Sequence, residues 1–191
     1  MWGAGATLKN NYMSKKPFVI WLMGPTSAGK TTIGKLFVED MRAADIPSIH
    51  YDGDEIRSFF GDALGFRPED RLRAVSTCAH LAITAAEAGL NVVVSALTAN
   101  DDARNYIKEN VPNLVLTYLK CPIDVCIERD SRGLYRKVRE GKVDSKTLIG
   151  LDKPYAMPDD PEITIDTSKH NPEESILAIK KWLTGAGYNL F

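Results

Sequence analysis

The chain has 191 residues, of which 44% are hydrophobic and 26% are charged, and its formal net charge is -1. This composition is typical of a globular protein, and a nearly neutral chain has no global field that would attract a nucleic acid or an anionic membrane. We therefore expect neither as a partner. The cysteines, Cys78, Cys121 and Cys126, lie in apolar surroundings without the close spacing of a zinc site. We predict buried, reduced thiols and a cytoplasmic protein.

The N-terminal segment differs in composition from the rest. Residues 1–16 are polar and contain glycine, include a second possible start at Met13, and lack the apolar stretch of a secretory signal. No apolar run in the sequence approaches the roughly 20 residues that a transmembrane helix requires. We predict that residues 1–16 are a leader or a flexible arm and that residues 17–188 form a single domain with one core.

Strands and helices are predicted to alternate along this domain. Short apolar runs have the length of strands that are buried on both faces of a sheet, at Pro17–Met23, Ser48–Asp52, Leu90–Ala96, Asn113–Cys121 and Glu162–Thr167. Apolar residues at helical spacing predict helices over Ile33–Met41, Leu72–Ala86, Asp101–Glu109, Ile123–Arg139 and Pro172–Gly185. This order predicts an α/β fold, a five-stranded parallel sheet flanked by helices with right-handed crossovers.

The turn after the first predicted strand carries a phosphate-binding pattern. Residues 24–31 read GPTSAGKT and match G-x-x-x-x-G-K-[ST] between a predicted strand and a predicted helix. In that context the backbone N–H groups converge on an anion, and the positive end of the helix dipole points to the same place. We assign Lys30, as a catalytic cation, to the β- and γ-phosphates and the Thr31 hydroxyl to Mg²⁺. The alternative is a turn that merely joins strand to helix.

With this pattern the prediction becomes a P-loop NTPase fold that binds a nucleoside triphosphate. The residues expected to contact the triphosphate are Gly24, Thr26, Ser27, Ala28, Gly29, Lys30, Thr31 and Thr32. The third predicted strand ends in VVVSALTAN, with no carboxylate before Asp101. A switch GTPase or motor ATPase usually has a Walker B carboxylate at the end of a buried strand, so this strand gives no sign of hydrolysis.

Two carboxylates follow the second predicted strand, in YDGDEIR (Tyr51–Arg57). If the strand continues, Asp52 and Asp54 lie on one face at the carboxyl edge of the sheet, where open α/β folds bind ligands. One could then hold a metal-bound water while the other accepts a proton from an attacking hydroxyl. The alternative is a turn and helix cap, for which D-G-D is equally suited.

Basic residues are concentrated in the segment from about 128 to 158. They are Arg129, Arg132, Arg136, Lys137, Arg139, Lys142, Lys146 and Lys153. One interpretation is a solvated helical surface, since acidic neighbours offset part of the charge. The other is a lid over the polyphosphate.

Longer blocks of the sequence resemble the adenylylsulfate (APS) kinase family, which transfers the γ-phosphoryl group of ATP to the 3'-hydroxyl of APS. The blocks are GPTSAGKTT, DGDEIR, LGFRPEDR, CPIDVCIERDSRGLYRKVREGK and LDKPYAMPDDPEITIDT. The last two are far more specific than the P-loop, and the resemblance covers roughly Phe18 to Trp182. It implies a P-loop kinase with Mg²⁺, ATP as co-substrate, a mobile lid and a homodimer.

The resemblance also implies roles for single residues. It assigns Asp52 to the metal together with Thr31, and Asp54 to the catalytic base. Arg129 and Arg132 match the lid near the adenine and phosphates of ATP. The positions that match the site of the accepting nucleotide are Asp54, Arg57, Phe66, Arg71, Lys146 and Leu148. There the base is expected to stack on the aromatic ring and the anionic linkage to meet the guanidinium groups.

Three departures from the family pattern concern the accepting nucleotide. Glu55 stands where Asn is common, and LTAN (Leu97–Asn100) replaces the I-S-P motif after the third strand. The segment DSKTLIGLD (Asp144–Asp152) lacks the aromatic residue that closes on the base, so Leu148 or Ile149 would have to cover it without the stacking contribution of an aromatic pair.

These departures leave three functions open. The first is phosphorylation of APS at its 3'-hydroxyl, which forms PAPS in sulfate activation. The second is the same chemistry on another nucleotide conjugate, such as a cytidine diphosphoramidate. The third is a nucleotide-binding regulator that has lost transfer, against which stands the intact P-loop followed by DGD.

Overall fold

The computed structural model describes residues 16–145, 148–151 and 154–188, so most of the predicted leader lies outside it. The strands in these residues are β1 (Val19–Met23), β2 (Ser48–Asp52), β3 (Asn91–Ser95), β4 (Leu114–Lys120) and β5 (Ile163–Asp166). They form one parallel sheet in the order β2-β3-β1-β4-β5. This confirms the predicted fold class, and the predicted strands differ from the observed ones by no more than two residues at either end.

Helices connect the strands and cover both faces of the sheet. They are α1 (Lys30–Ala43), α2 (Gly53–Ser58), α3 (Pro68–Glu87), α4 (Asp101–Asn110), α5 (Ile123–Arg129), α6 (Leu134–Arg139) and α7 (Pro172–Gly185). A short 3₁₀ turn, Gly61–Ala63, lies between α2 and α3. None of the described helices has both the length and the apolar character needed to cross a lipid bilayer.

The prediction of one helix over Ile123–Arg139 is wrong. The chain leaves α5 at Asp130 with a φ of 22°, and Gly133 takes a left-handed φ of 65° before α6 begins. The carboxylate of Asp130 then accepts the backbone N–H groups of Tyr135 and Arg136, each at 3.0 Å. An aspartate that caps a new helix competes with continuation of the old one, and a left-handed glycine completes the break.

The central strand β1 is apolar at every position because both of its faces are covered. Ile20 and Leu22 face a core that α1 and α7 complete, whereas Trp21 and Met23 face a second core completed by α3 and α4. All four side chains are fully buried. A strand covered on both faces has no solvent side, so it shows no polar alternation.

The sheet order brings the site together. The turn that carries the phosphate-binding pattern leaves β1, the carboxylate pair leaves β2, and the loop Leu97–Asn100 leaves β3, which lies between them. Because all strands are parallel, these three exits lie at the same edge, where ligands of open α/β folds bind.

Gly24 is the residue at which the turn passes closest to the sheet. Its φ is 151°, and a Cβ added there would lie 2.4 Å from the carbonyl oxygen of Leu119 in β4. Because a backbone oxygen cannot move aside, we expect Gly24→Ala to lower the free energy of unfolding by about 2 to 4 kcal/mol. In a chain of this size that corresponds to a melting temperature lower by about 5 to 15 °C.

A matched control is Gly185→Ala in the last turn of α7, where a Cβ would meet no described atom within 4 Å. Alanine favours a helix over glycine by up to about 1 kcal/mol, so this variant should be as stable as the wild type or slightly more stable. Thermal unfolding without nucleotide measures both. Equal melting temperatures for the two variants would contradict the steric account of Gly24.

Candidate active site

The turn between β1 and α1 is held closed by Lys30. Its ammonium group donates hydrogen bonds to the carbonyl oxygens of Gly24 at 2.9 Å and Pro25 at 2.7 Å. Ser27 and Gly29 both have positive φ, 63° and 93°. Left-handed residues within a turn bring successive N–H groups toward one concave side, which suits an anion. The geometry is that of a phosphate-binding loop whose lysine rests on the loop itself.

The environment of Lys30 lowers the pKa of its amine. Burial of the charge is the main cause and brings the pKa to about 8, while the nearby carboxylates of Asp54 and Asp52 oppose the shift. A triphosphate in the loop would supply the negative charge that favours the protonated amine.

Thr31, the next residue, contacts the sheet edge through Asp52. Its hydroxyl donates to Oδ2 of Asp52 at 2.6 Å, while Oδ1 of the same carboxylate accepts the backbone N–H of Asp54 at 2.8 Å. Burial favours a raised pKa of Asp52, but these hydrogen bonds, together with the charge of Arg132, bring it below its usual value. Asp52 is therefore an anion at neutral pH. A hydroxyl and a carboxylate are the oxygen donors that Mg²⁺ takes beside substrate phosphates.

The strand β2 ends at Asp52 as predicted, and it does not continue to Asp54. Asp52 is the N-cap of α2, and Asp54 lies in the first turn of that helix. The helix-cap interpretation of D-G-D is therefore confirmed, since Oδ1 of Asp52 caps the helix. Oδ2 faces Thr31, and the metal and base roles of the two aspartates stay predictions. The side chain of Asp54 is 66% exposed, whereas that of Asp52 is 5% exposed.

Arg132 joins the predicted lid to these carboxylates. It forms an ion pair with Asp54, and its second terminal nitrogen lies 3.7 Å from Oδ2 of Asp52. A pocket of about 320 Å³ is lined by these three residues together with Thr31, Lys35 and Glu55. An arginine 78 residues away in the sequence thus lies beside the predicted base and metal ligand.

A larger cleft, of about 690 Å³, adjoins this pocket and contains most of the predicted site. Its walls come from the turn, the start of α1, α2, α3, the loop after β3 and the lid segment. Among the lining residues are Thr26, Ser27, Gly29, Lys30, Thr31, Thr32, Asp54, Arg57, Phe66, Arg71, Arg132 and Leu148. The predicted triphosphate site and the predicted acceptor site therefore share one cavity.

The acceptor side of the cleft is built around Phe66, whose side chain is 51% exposed. The guanidinium carbons of Arg57 and Arg71 lie 4.4 and 5.7 Å from the centre of its ring. Burial and the neighbouring charge of Arg57 lower the pKa of Arg71. The two guanidinium groups carry like charges, so an anionic group bound near both of them would stabilise them. The exposed ring offers a surface for a planar base. This side of the cleft therefore suits a ligand that carries both.

Several predicted residues lie elsewhere. Gly24 and Ala28 are buried beneath the turn and do not line the cleft. Arg129 donates to the carbonyl oxygen of Thr167 at 2.5 Å, beyond the end of β5, and does not line the cleft either, so its role toward ATP stays a prediction. Lys146 lies outside the described residues.

Sequence reasoning missed two tyrosines that brace the cleft. The hydroxyl of Tyr135, in α6, donates to the carbonyl oxygen of Thr26 in the phosphate-binding turn at 3.1 Å. The hydroxyl of Tyr155 donates to the carbonyl oxygen of Leu97 after β3 at 2.6 Å. Burial raises the pKa of both phenols, so both remain protonated donors. The sequence signal that could have identified these tyrosines was their position in the family-specific blocks GLYRK and DKPY.

The parallel sheet and the phosphate-binding turn with its lysine define a P-loop kinase. The sequence model of the adenylylsulphate kinase family matches residues 16–166. The chain belongs to this family.

Curated relatives agree with this assignment, and a solved structure agrees with the fold. The chain is 36% identical to an adenylyl-sulfate kinase of Rippkaea orientalis over 92% of its own length and 96% of that protein. It is 33% identical to a probable bifunctional SAT/APS kinase 2 of Sorangium cellulosum over 90% of its length, but it spans only 29% of that longer protein. The fold is similar to that of a Mycobacterium tuberculosis APS kinase solved with AMPPNP and APS, with a TM-score of 0.79, 24% identity, and coverage of 88% and 98% of the two chains.

The lowered pKa of Lys30 predicts how nucleotide affinity depends on pH. Below pH 8 the amine is protonated in both the free and the bound protein, so the affinity for Mg-ATP should be constant. Above pH 8, the free protein loses the proton that the phosphates require, so affinity should fall by up to about tenfold per pH unit. Titration with a fluorescent ATP analogue from pH 7 to about 9.5 measures this profile.

Lys30→Arg is the control, because a guanidinium group stays protonated over this range. Its affinity is expected to be weaker but independent of pH. A flat profile for the wild-type protein up to pH 9.5 would rule out the assigned ionisation of Lys30.

Proposed function

We propose that the protein is an adenylyl-sulfate kinase, which transfers the γ-phosphoryl group of ATP to the 3'-hydroxyl of adenylyl sulfate. The observation that carries the proposal is the shared cleft, in which the triphosphate turn and Asp54 lie together with the ring of Phe66 and the nearby guanidinium groups of Arg57 and Arg71. Membership of the family, with relatives that bear this name, supports the same acceptor.

In the proposed reaction Asp54 accepts the proton of the 3'-hydroxyl while that oxygen forms a bond to the γ-phosphorus. The bond from this phosphorus to the oxygen that bridges to the β-phosphate breaks, and ADP leaves with the electron pair. Lys30 and Arg132 stabilise the negative charge on the transferring group. Bound Mg²⁺ supplies further neutralisation of the phosphates.

The ion pair between Arg132 and Asp54 has to open for this reaction. While Asp54 is paired with Arg132, its carboxylate is engaged by the guanidinium group and is not available to a substrate hydroxyl. The triphosphate offers Arg132 a more highly charged partner in the same cleft. We therefore propose that ATP draws Arg132 away from Asp54 and thereby frees the base, which gives the lid segment a direct part in catalysis.

Mg²⁺ fits the residues that are present. The Thr31 hydroxyl and the Asp52 carboxylate lie 2.6 Å apart beside the loop, and one or two protein oxygens are sufficient for a cation that phosphates and water also coordinate. Among the described residues there is no group of three or more His, Cys, Asp or Glu side chains that could by itself hold a metal ion. Such a cluster would indicate a site formed by protein groups alone.

Adenylyl sulfate is the preferred acceptor in spite of the unusual residues. Glu55, the residue most expected to repel a sulfate, lines the smaller pocket beside Asp52 and not the larger cleft. Of the two residues expected to cover the base, Leu148 and Ile149, Leu148 is the one that lines the cleft, where it is 5% exposed, and this supports it as the proposed cover. A cytidine diphosphoramidate carries the same ribose and an analogous anionic linkage, and it is kept as the competing acceptor.

Three sequence-based expectations belong to this proposal: a cytoplasmic location, a homodimer, and a mobile lid formed by residues 128–158. The support for the lid is that Tyr135 of α6 contacts the phosphate-binding turn through its hydroxyl, and that Arg132, which precedes α6, pairs with the carboxylates. The support for the location is that all three cysteines are free and buried.

A coupled assay of ADP release tests the acceptor. The purified protein is incubated with Mg-ATP alone, with adenylyl sulfate, or with cytidine diphosphoramidate. We expect ADP only with adenylyl sulfate. Release with the cytidine compound alone would identify the competing acceptor, release without any acceptor would indicate an ATPase, and no release at all would leave a nucleotide-binding protein.

Asp54→Asn tests the base within the same assay. Loss of a general base should lower the turnover number by about a hundredfold or more without weakening ATP binding. Asp102→Asn is the matched control, because Asp102 is an exposed carboxylate at the start of α4 that does not line the cleft. Full turnover by Asp54→Asn would remove the assigned base.

A further inference from the structure

A polar contact lies beneath the first turn of α1, next to the larger cleft, which Ser95 also lines. Nε2 of His50, in β2, lies 2.9 Å from Oγ of Ser95, in β3. That hydroxyl in turn donates to the backbone carbonyl oxygen of Lys30 at 2.9 Å. We call these three groups the His50–Ser95–Lys30 relay.

The direction of the relay follows from the hydroxyl. Ser95 has one proton, which the Lys30 carbonyl accepts, so its oxygen can only accept from the imidazole. Nε2 of His50 is therefore the protonated nitrogen. Protonation of the ring adds a hydrogen at Nδ1 and leaves the Nε2 donor in place, so the relay persists in both charge states.

Gly34 makes room for the relay. A Cβ at this position of α1 would lie 2.6 Å from Nε2 of His50 and 2.7 Å from Oγ of Ser95. Glycine inside a helix costs about 1 kcal/mol relative to alanine, so the absence of a side chain here is not explained by helix stability. It is explained by the approach of the imidazole and the hydroxyl to the helix backbone.

The relay connects the same two elements as the predicted magnesium ligands. Lys30 immediately precedes Thr31 in α1, and His50 is two residues before Asp52 in β2. Two hydrogen-bonded connections therefore join α1 to β2. The first runs through Ser95, and the second is the direct hydrogen bond from Thr31 to Asp52. Because the first connection fixes the start of the helix against the strand, it limits where the Thr31 hydroxyl can lie.

We infer that His50 and Ser95 are positioning residues that hold Thr31 against Asp52 in the geometry required for a magnesium nucleotide. The inference rests on the proposed function insofar as it takes this pair as the metal site. His50 itself lies among Asp52, Lys35 and Glu55, whose opposing charges act on its ring. Burial lowers the pKa of His50. The uncharged imidazole holds the helix start because its Nε2–H group reaches the Ser95 hydroxyl.

Two variants of His50 distinguish the effect of side-chain length from the effect of having a hydrogen-bond donor. In His50→Gln the side-chain amide nitrogen extends about as far as Nε2 and can donate to Ser95. In His50→Asn the same amide is one methylene group shorter and cannot reach it. The measurement is the dissociation constant of a fluorescent ATP analogue, once with Mg²⁺ and once with EDTA, together with the melting temperature of each variant.

We expect His50→Gln to bind the magnesium nucleotide within about threefold of the wild type, and His50→Asn to bind it about tenfold or more weakly. With EDTA the two variants should differ little. Equal binding by the two variants with Mg²⁺ would overturn the inference, and so would an equal loss with and without Mg²⁺, which a general packing defect would produce.

Ser95→Ala gives a second route that leaves the imidazole in place. It should reproduce the magnesium-dependent loss of His50→Asn, and wild-type magnesium dependence would overturn the inference even if His50→Asn did not fold. Because nucleotide binding requires no acceptor, these results are independent of the acceptor assay. A protein that phosphorylates no acceptor would contradict the proposed function while the relay could still be confirmed.

Discussion

The hydrogen bond between Thr31 and Asp52 is the contact on which the site depends. It joins the chain just after the phosphate-binding turn to the end of β2. In the sheet, β3 lies between β1 and β2, so this contact spans two strand positions. One carboxylate thereby starts α2, orients a hydroxyl at the phosphate-binding turn and remains ionised at neutral pH. Because α2 begins at Asp52, the same residue also determines where the exposed carboxylate of Asp54 lies. The proposed metal ligand and the proposed base are thus placed by a single helix cap.

Charge balance connects this contact to the lid. Two carboxylates and two cations, Lys30 and Arg132, lie close together, and each cation has a temporary partner within the protein. Lys30 bonds to carbonyl oxygens of its own loop, and Arg132 pairs with the carboxylates. Under the proposed function a triphosphate would compete for both cations. Because Tyr135 attaches α6 to the turn, the proposed lid would respond to the same binding event.

The sequence was sufficient for features that depend on local pattern. Buried parallel strands are apolar throughout, and the G-x-x-x-x-G-K-[ST] spacing is specific when it lies between strand and helix. The break at Asp130 was missed because apolar spacing continues across it, although an aspartate three residues before a glycine was a visible signal. The pairing of Arg132 with Asp54 and the reach of His50 depend on tertiary packing, which no periodicity reports. The D-G-D segment shows the same limit, since its interpretation as a helix cap and its interpretation as a catalytic pair were both physically sound.

The most direct measurement is a crystal structure with Mg²⁺, a non-hydrolysable ATP analogue and adenylyl sulfate bound together. The account predicts Mg²⁺ beside the Thr31 hydroxyl and Asp52, Arg132 moved from Asp54 to the phosphates, and the ribose 3'-hydroxyl within about 2.6 to 3.2 Å of Asp54. A complex in which Arg132 still pairs with Asp54, or in which the acceptor lies away from Phe66 and Asp54, would contradict it.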